Sequence, residues 1–288
     1  MRFNALILFM VAFAACQPSL NPAESTFATT PTAAAIAPGI IDEVSGLADS
    51  RTMPGNLWIE QDGRNPAVLT LLSHQGKIVG TMPLPQLTNR DWEDMTIGPG
   101  PQDGVSYLFL ADIGDNNAQN DVNYVYRFAE PKSLSEAVGS VDRIAFRYPD
   151  GPRDAETLLI DPLTKDLWVV SKRETNVHLY RLPYPQSTTA VPVAQAMGEL
   201  PLSLVVSGSI SSDGREIVLK TYTGVYYWLR TGSESVADAL QKRSARTLTY
   251  RIEPQGETIC FAQDNRGFFT LSERASAGSV SLFYYAKQ

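Results

Sequence analysis

The feature that most constrains this chain is a repeat. Short apolar runs rich in Val, Ile, Leu, Tyr and Trp recur between turn residues, and no long amphipathic helical pattern follows residue 40. Leu57-Trp58-Ile59, Tyr107-Leu108-Phe109-Leu110, Leu167-Trp168-Val169-Val170, Ile217-Val218-Leu219 and Phe268-Phe269-Thr270-Leu271 read as equivalent strands. Each follows a turn: Pro54-Gly55, Asp103-Gly104, Thr164-Lys165-Asp166, Asp213-Gly214 or Asn265-Arg266-Gly267. Each precedes a further strand, and ahead of each lies an inner strand with a polar residue near its start: Ser45, Glu93, Glu156, Ser209 and Glu257. These starts recur at intervals of roughly 50 residues, the period of a four-stranded β-propeller blade.

Five such units predict an all-β, five-bladed β-propeller, with six blades as the alternative because the longer intervals have room for further strands. Outer strands are available at 78–83, 141–148, 191–200 and 246–252. The fifth unit ends at Gln288 without one, and a segment near Ala33–Ile41 is expected to supply it and close the ring. Closure removes the exposed strand edge of an open ring. One short helix is expected near Ser235–Lys242. Residues 36–288 are read as one propeller domain.

The first residues read as an address. Met1-Arg2-Phe3-Asn4 carries one positive charge, and the apolar run Ala5–Ala15 is too short to span a bilayer but suits a signal-peptide core. It ends Phe13-Ala14-Ala15-Cys16, which resembles a bacterial lipobox. The resemblance implies a signal peptide over 1–15, lipid on Cys16 and a membrane partner through that anchor. Gln17 after the cysteine favours the outer membrane by similarity to Gram-negative lipoproteins. Residues 16–35, rich in Ser, Thr, Pro and Ala, are read as lipidated cysteine and tether. Cys260 is then the only other cysteine, so no disulfide is expected.

A propeller brings the inner-strand starts to one mouth of a central channel. Ser45, Glu93, Glu156, Ser209 and Glu257 are therefore expected to converge there. Three carboxylates around one axis either rise in pKa or share a cation, and all-oxygen ligation in a wide ring favours Ca²⁺. Capping of strands by the same residues is the alternative. The ends of the second strands form a rim that mixes Asp62, Asp112, Lys172 and Lys220, a surface suited to an anionic small molecule such as a phosphate. Asp112–Asn117 is a candidate second Ca²⁺ loop or a plain turn.

The order of serine and glutamate starts resembles that of the calcium-activated nucleotidases, a five-bladed apyrase family with Ca²⁺ in the channel. That resemblance implies the ion ring. A phosphate-containing substrate is the hydrolase reading, with Asp62, Asp112, Lys172 and Lys220 as candidate catalytic residues from their place on the rim. Glu43-Val44-Ser45-Gly46-Leu47-Ala48, Asp91-Trp92-Glu93-Asp94, Ala111-Asp112-Ile113-Gly114-Asp115-Asn116, Tyr148-Pro149-Asp150-Gly151, Asp154-Ala155-Glu156 and Val170-Ser171-Lys172 also resemble a group of uncharacterised bacterial secreted or lipid-anchored propellers.

Other chemistry is excluded or weak. A net charge of −7 with no basic cluster argues against a nucleic-acid polymer. Two histidines and two cysteines are too few for a zinc cluster. The sequence contains no nucleophile elbow, no phosphate-binding P-loop and no dinucleotide fingerprint. The expectation is a monomeric envelope lipoprotein that is either a Ca²⁺-dependent phosphohydrolase or a binding or scaffold module with a structural Ca²⁺; a glycosidase using paired acids is a third reading.

Overall fold

A computed structural model describes residues 26–288 apart from residues 40, 64, 243 and 244. The expected signal peptide, Cys16 and Arg64 lie outside the described residues. Strand β1 (Thr32–Ile36) comes first. Blade 1 is β2 (Val44–Asp49), β3 (Asn56–Gln61), β4 (Val68–Ser73) and β5 (Ile78–Pro83). Blade 2 is β6 (Trp92–Pro99), β7 (Ser106–Asp112), β8 (Asn123–Ala129) and β9 (Asp142–Phe146). Blade 3 is β10 (Ala155–Ile160), β11 (Leu167–Ser171), β12 (Val177–Leu182) and β13 (Gln195–Leu200). Blade 4 is β14 (Val205–Ile210), β15 (Glu216–Thr221), β16 (Val225–Leu229) and β17 (Arg246–Leu248), with helix α1 (Val236–Lys242) between its last two strands. Blade 5 is β18 (Gln255–Phe261), β19 (Gly267–Glu273) and β20 (Val280–Ala286), completed by β1.

Five four-stranded antiparallel sheets result, so the five-bladed propeller is the fold and the six-bladed alternative falls. The turn chemistry explains the regularity. The hairpin between the first and second strand of each blade carries a left-handed residue: Gly55, Gly104, Lys165, Gly214 and Asn265. Glycine and asparagine tolerate that conformation, so the turn dipeptides of the sequence mark the blades. Between blades the core is apolar, with Trp58, Trp92 and Trp168 almost wholly buried. Ser235 caps α1, its Oγ accepting the Asp238 amide at 3.0 Å.

The ring closes on itself as expected, but further upstream. Thr32–Ile36 pairs antiparallel with β20, from Thr32 opposite Tyr284 to Ile36 opposite Val280. Phe27 bridges Lys287 and packs edge-on against Tyr227 and Phe268. The folded unit therefore includes residues read from the sequence as tether, and a boundary at 36 cuts through it. The short run Thr32-Ala33-Ala34-Ala35 has little apolar weight of its own; its place is set by the free edge of β20. A chain that begins at residue 37 should unfold at least ~10 °C below one that begins at residue 26, from loss of the β1 ladder and of Phe27 burial. Thermal unfolding with light scattering checks this, and equal midpoints would show that β1 does not close the ring energetically.

Candidate functional site

The inner strands share one irregularity that builds the channel mouth. Each pairs with its second strand through a register shift that leaves one residue extra: Ser45, Glu93, Glu156, Val206 and Glu257. A bulge turns its extra residue out of the ladder, and here three of the five are carboxylates. Glu93, Glu156 and Glu257 line a cavity of about 300 Å³ with Asp62, Asn116, Lys172, Arg173, Leu204, Tyr222 and Gln255. Ser45 donates to the Glu93 carbonyl at 2.8 Å, which fixes the second bulge against the first blade.

Ser209 does not join them. The residue at the equivalent bulge of blade 4 is Val206, and Ser209 sits three residues further along β14, where its Oγ accepts the Phe261 amide at 3.1 Å. It lines a small, partly open void of about 20 Å³ beside Cys260 and Phe261, toward the other end of the inner strands. Bulge position is a property of pairing register, which residue polarity does not report; the buried Val206 reads in sequence as core.

Two clusters of carboxylate oxygens lie within 4.8 Å of one another: Asp62, Asp91 and Glu93, and Glu93, Asp154 and Glu156. Cationic side chains bond two members of the second. Lys172 bonds Glu156 and places its ammonium 5.3 Å from the centre of the Tyr222 ring. Arg173 bonds Asp154 and Asn116. Among the described residues no ammonium or guanidinium bonds Asp62 or Glu93. Sequence reasoning did not place Asp91 and Asp154 as ligands, although both lie in the quoted motifs beside Glu93 and Glu156.

Backbone and neighbours hold the first cluster in place. Asn89 donates to the carbonyls of Gln61 and Asp62 at 2.8 and 3.0 Å and accepts the Trp92 amide at 3.0 Å. Asp112 accepts the Asp91 amide at 3.2 Å and pairs with Arg90 at 3.1 Å. A Cβ on Gly114 would collide with carboxylate oxygens of Glu93 and Asp91, and one on Gly63 with Asp91. The two glycines thus leave a cradle into which the acids lean.

The electrostatics follow from burial. Glu93 is pushed well above the usual carboxylate range, first by desolvation and then by Glu156, Asp62 and Asp91. Desolvation raises Asp62 to about 6 against the pull of the Gly63 amide. Glu156 rises to about 8 because burial and Glu257 outweigh the Lys172 ammonium. Glu273 rises to about 10 through burial and its bond to Glu257. Glu257 is also bonded by Tyr222 at 2.7 Å and by Gln255 at 3.3 Å.

Beneath the mouth, Asp94 crosses the axis. It accepts the amides of Met95 and Leu158 at 2.9 Å each and the Ser207 hydroxyl at 3.1 Å, tying blades 2, 3 and 4 together. Glu60 reaches the same level from the second strand of blade 1. Its partner Gly46 has no side chain, and a Cβ there would strike the Glu60 carboxylate. Glu60 is fully buried, neither of its oxygens has a partner, and burial next to Asp94 drives its pKa far up. The Gly46 window could be read from the motif only once Glu60 was known to pair with it.

The remaining expected rim residues are placed elsewhere. Lys220 is wholly buried between blades 4 and 5, bonded to the Gly256 carbonyl, 3.7 Å from Glu253 and over the Tyr250 ring at 4.8 Å. It does not line the mouth, and desolvation lowers its pKa to about 8. Asp112 is buried under Arg90 and Tyr126 and supports the Asp91 corner. Asp115 spends its carboxylate on the Asn120 amide at 2.7 Å and its own amide on Asp154 at 2.9 Å. Among the described residues, the Asp112–Asn117 stretch forms no metal-ligand cluster; it is a turn that buttresses the first cluster. Cys260 is buried, as expected of a core thiol.

No family model matches the chain, and no curated relative matches it. Among solved structures it is similar to the Dos1 propeller, at 11% identity over 84% of this chain and 68% of that one, with a TM-score of 0.38. It is also similar to the hydrazine synthase of Kuenenia stuttgartiensis, at 10% identity over 86% of this chain and 97% of that one, with a TM-score of 0.44. Likenesses at this level concern fold alone and transfer no residue role. By its own strand order the chain is a five-bladed β-propeller closed by an N-terminal strand.

Proposed function

We propose that this propeller is a Ca²⁺-binding module of the bacterial cell envelope, anchored through lipid on Cys16, that holds an anionic small molecule at its channel mouth. The observation that carries the reading is the convergence of carboxylate oxygens at the mouth. Asp62, Asp91 and Glu93 bring carboxylate oxygens within 4.8 Å of one another in a glycine-lined cradle, beside a second group of Glu93, Asp154 and Glu156 in which Lys172 bonds Glu156 and Arg173 bonds Asp154. Carboxylates this close, one of them buried and two half-buried, are all held in the ionised form by a cation among them. Hard oxygen donors in irregular geometry suit Ca²⁺ over Mg²⁺. The ion is thereby assigned to Asp62, Asp91 and Glu93, with Ser45 and Glu156 as supports and Glu257 on the neighbouring wall of blade 5.

Beside that cluster, Arg173 has its side chain about half exposed (48%), and Lys172 lies next to it. An anion entering the mouth would meet the cation and the guanidinium together. The bound ion would supply Lewis acidity toward a phosphoryl oxygen, which is the hydrolase form of the reading. The burial of Lys220 and the engagement of Lys172 by Glu156 favour the non-catalytic form, since neither lysine is free to follow developing charge.

Calorimetric titration of the metal-free protein with Ca²⁺ tests the reading. One site is expected, weakened at least ~10-fold by Asp91→Asn and by Glu93→Gln and much less by Glu156→Gln. Equal losses in all three variants would return the ion to the axial ring, and no heat with the wild type would remove the site. Phosphate release from esters by the Ca²⁺-loaded protein, lost in Arg173→Ala, separates hydrolase from binding module.

A further inference from the structure

The wall of the mouth facing the acidic cluster is built differently from the rest. Blade 4 contributes Val206 where blades 2, 3 and 5 contribute glutamates. Two residues before it, Leu204 lines the cavity with 44% of its surface exposed, one of few large apolar side chains left open among the described residues. Its φ is 57°, in the left-handed region that disfavours a residue with a Cβ. The conformation is held by its amide, which donates to the Lys172 carbonyl at 2.7 Å. Tyr222, from the loop after β15, lines the same side. A strained backbone that holds a leucine open to water, in a cavity otherwise lined by charged and polar groups, is disfavoured twice over. The exposure is removed when a ligand covers the side chain.

We propose that the mouth selects anions that carry an apolar group, and that Leu204 sets this preference. The inference rests on the cation reading above. The anionic head faces the acidic cluster with its ion and Arg173, and the apolar group lies against Leu204 and the Tyr222 ring. A cavity of about 300 Å³ admits a small aryl or short alkyl phosphonate, phosphate or carboxylate. Inorganic phosphate would satisfy only the charged half.

The test compares methylphosphonate with phenylphosphonate, which share a head group and resist hydrolysis, by calorimetry on the Ca²⁺-loaded full chain. Phenylphosphonate is expected to bind at least ~10-fold more tightly, since the ring buries apolar surface that methyl cannot. In Leu204→Gly and in Leu204→Ala that ratio should fall toward one. Glycine also relieves the left-handed backbone and alanine does not, so the unfolding temperature of Leu204→Gly should equal or exceed that of Leu204→Ala. Equal affinities for the two phosphonates in a wild type that binds Ca²⁺ would overturn the inference and leave the cation reading standing. A ratio unchanged by either substitution would overturn the role of Leu204. Absence of Ca²⁺ binding would overturn both readings together.

Discussion

Stripped of divalent cations, the protein should lose stability steadily as pH rises from about 5 to about 8, and Ca²⁺ should remove most of that loss. Glu156 has its folded pKa raised from 4.5 to about 8 and Asp62 from 3.8 to about 6, while Glu93 rises well above 4.5. A carboxyl with a raised folded pKa keeps its proton in the native state after the unfolded chain has released it. Its stabilisation is complete below the unfolded value and disappears as pH climbs through the folded value. The window therefore runs from about 4.5 up to about 8, with Glu273 extending it to about 10. The summed effect should reach a few kcal/mol, or ~5–10 °C in unfolding temperature for a chain of this size. A cation among Asp62, Asp91 and Glu93 stabilises the ionised forms, so Ca²⁺ should raise the midpoint strongly at pH 8 and little at pH 5. Thermal unfolding across pH with EGTA or Ca²⁺, in wild type and Glu93→Gln, reads all of this. A flat metal-free profile would mean that the mouth carboxylates are ionised without help, and the case for the ion would fail.

Asp94→Ala should destabilise the fold by ~3–5 kcal/mol, because it leaves three buried donors without their acceptor, at ~1–3 kcal/mol for each buried group left unsatisfied. The substitution strands the amides of Met95 and Leu158 and the hydroxyl of Ser207, and it opens a void where three blades meet. Asp94→Asn keeps one carbonyl acceptor and should cost less, ~1–3 kcal/mol. Asp103→Ala is the surface control. Its carboxylate is almost fully exposed opposite Lys165, and such pairs contribute little. Urea unfolding of the three variants gives the order. An Asp94→Ala protein within experimental error of the wild type would show that water replaces the carboxylate and that the blades do not depend on the tie.

These two results probe opposite demands on one set of carboxylates. Asp94 accepts from Met95, Leu158 and Ser207 and ties three blades together. Glu93, one residue earlier, has its carboxylate turned out by the bulge toward the other acids. Adjacent acids in Asp91-Trp92-Glu93-Asp94 thus have separate tasks. Trp92, between them, is buried and anchors the corner to the core.

Periodicity and turn chemistry were enough, from the residues alone, to read the blade frame. Apolar strands bounded by Pro-Gly, Asp-Gly and Asn-Arg-Gly turns have few alternatives once five of them recur, and an unpaired last strand calls for a closing partner. The same reasoning located Glu93, Glu156 and Glu257, because a carboxylate at the start of an apolar inner strand is costly anywhere but a polar channel. Tertiary structure alone decided the rest. Register chose Val206 over Ser209 as the fourth bulge, since one extra residue in one strand changes which side chain turns outward and polarity carries no record of it. Register decided that Lys220, paired with Ser207 inside β15, is enclosed against the Gly256 carbonyl, while Lys172, just past the end of β11 and two residues further along by that register, reaches the mouth. The missing side chain of Gly46 admits Glu60 to the channel interior, and its effect depends on which residue pairs with it across the strand. Local sequence sets strands and turns through short-range sterics and burial; the partners of a charge are set by contacts between segments far apart in the chain.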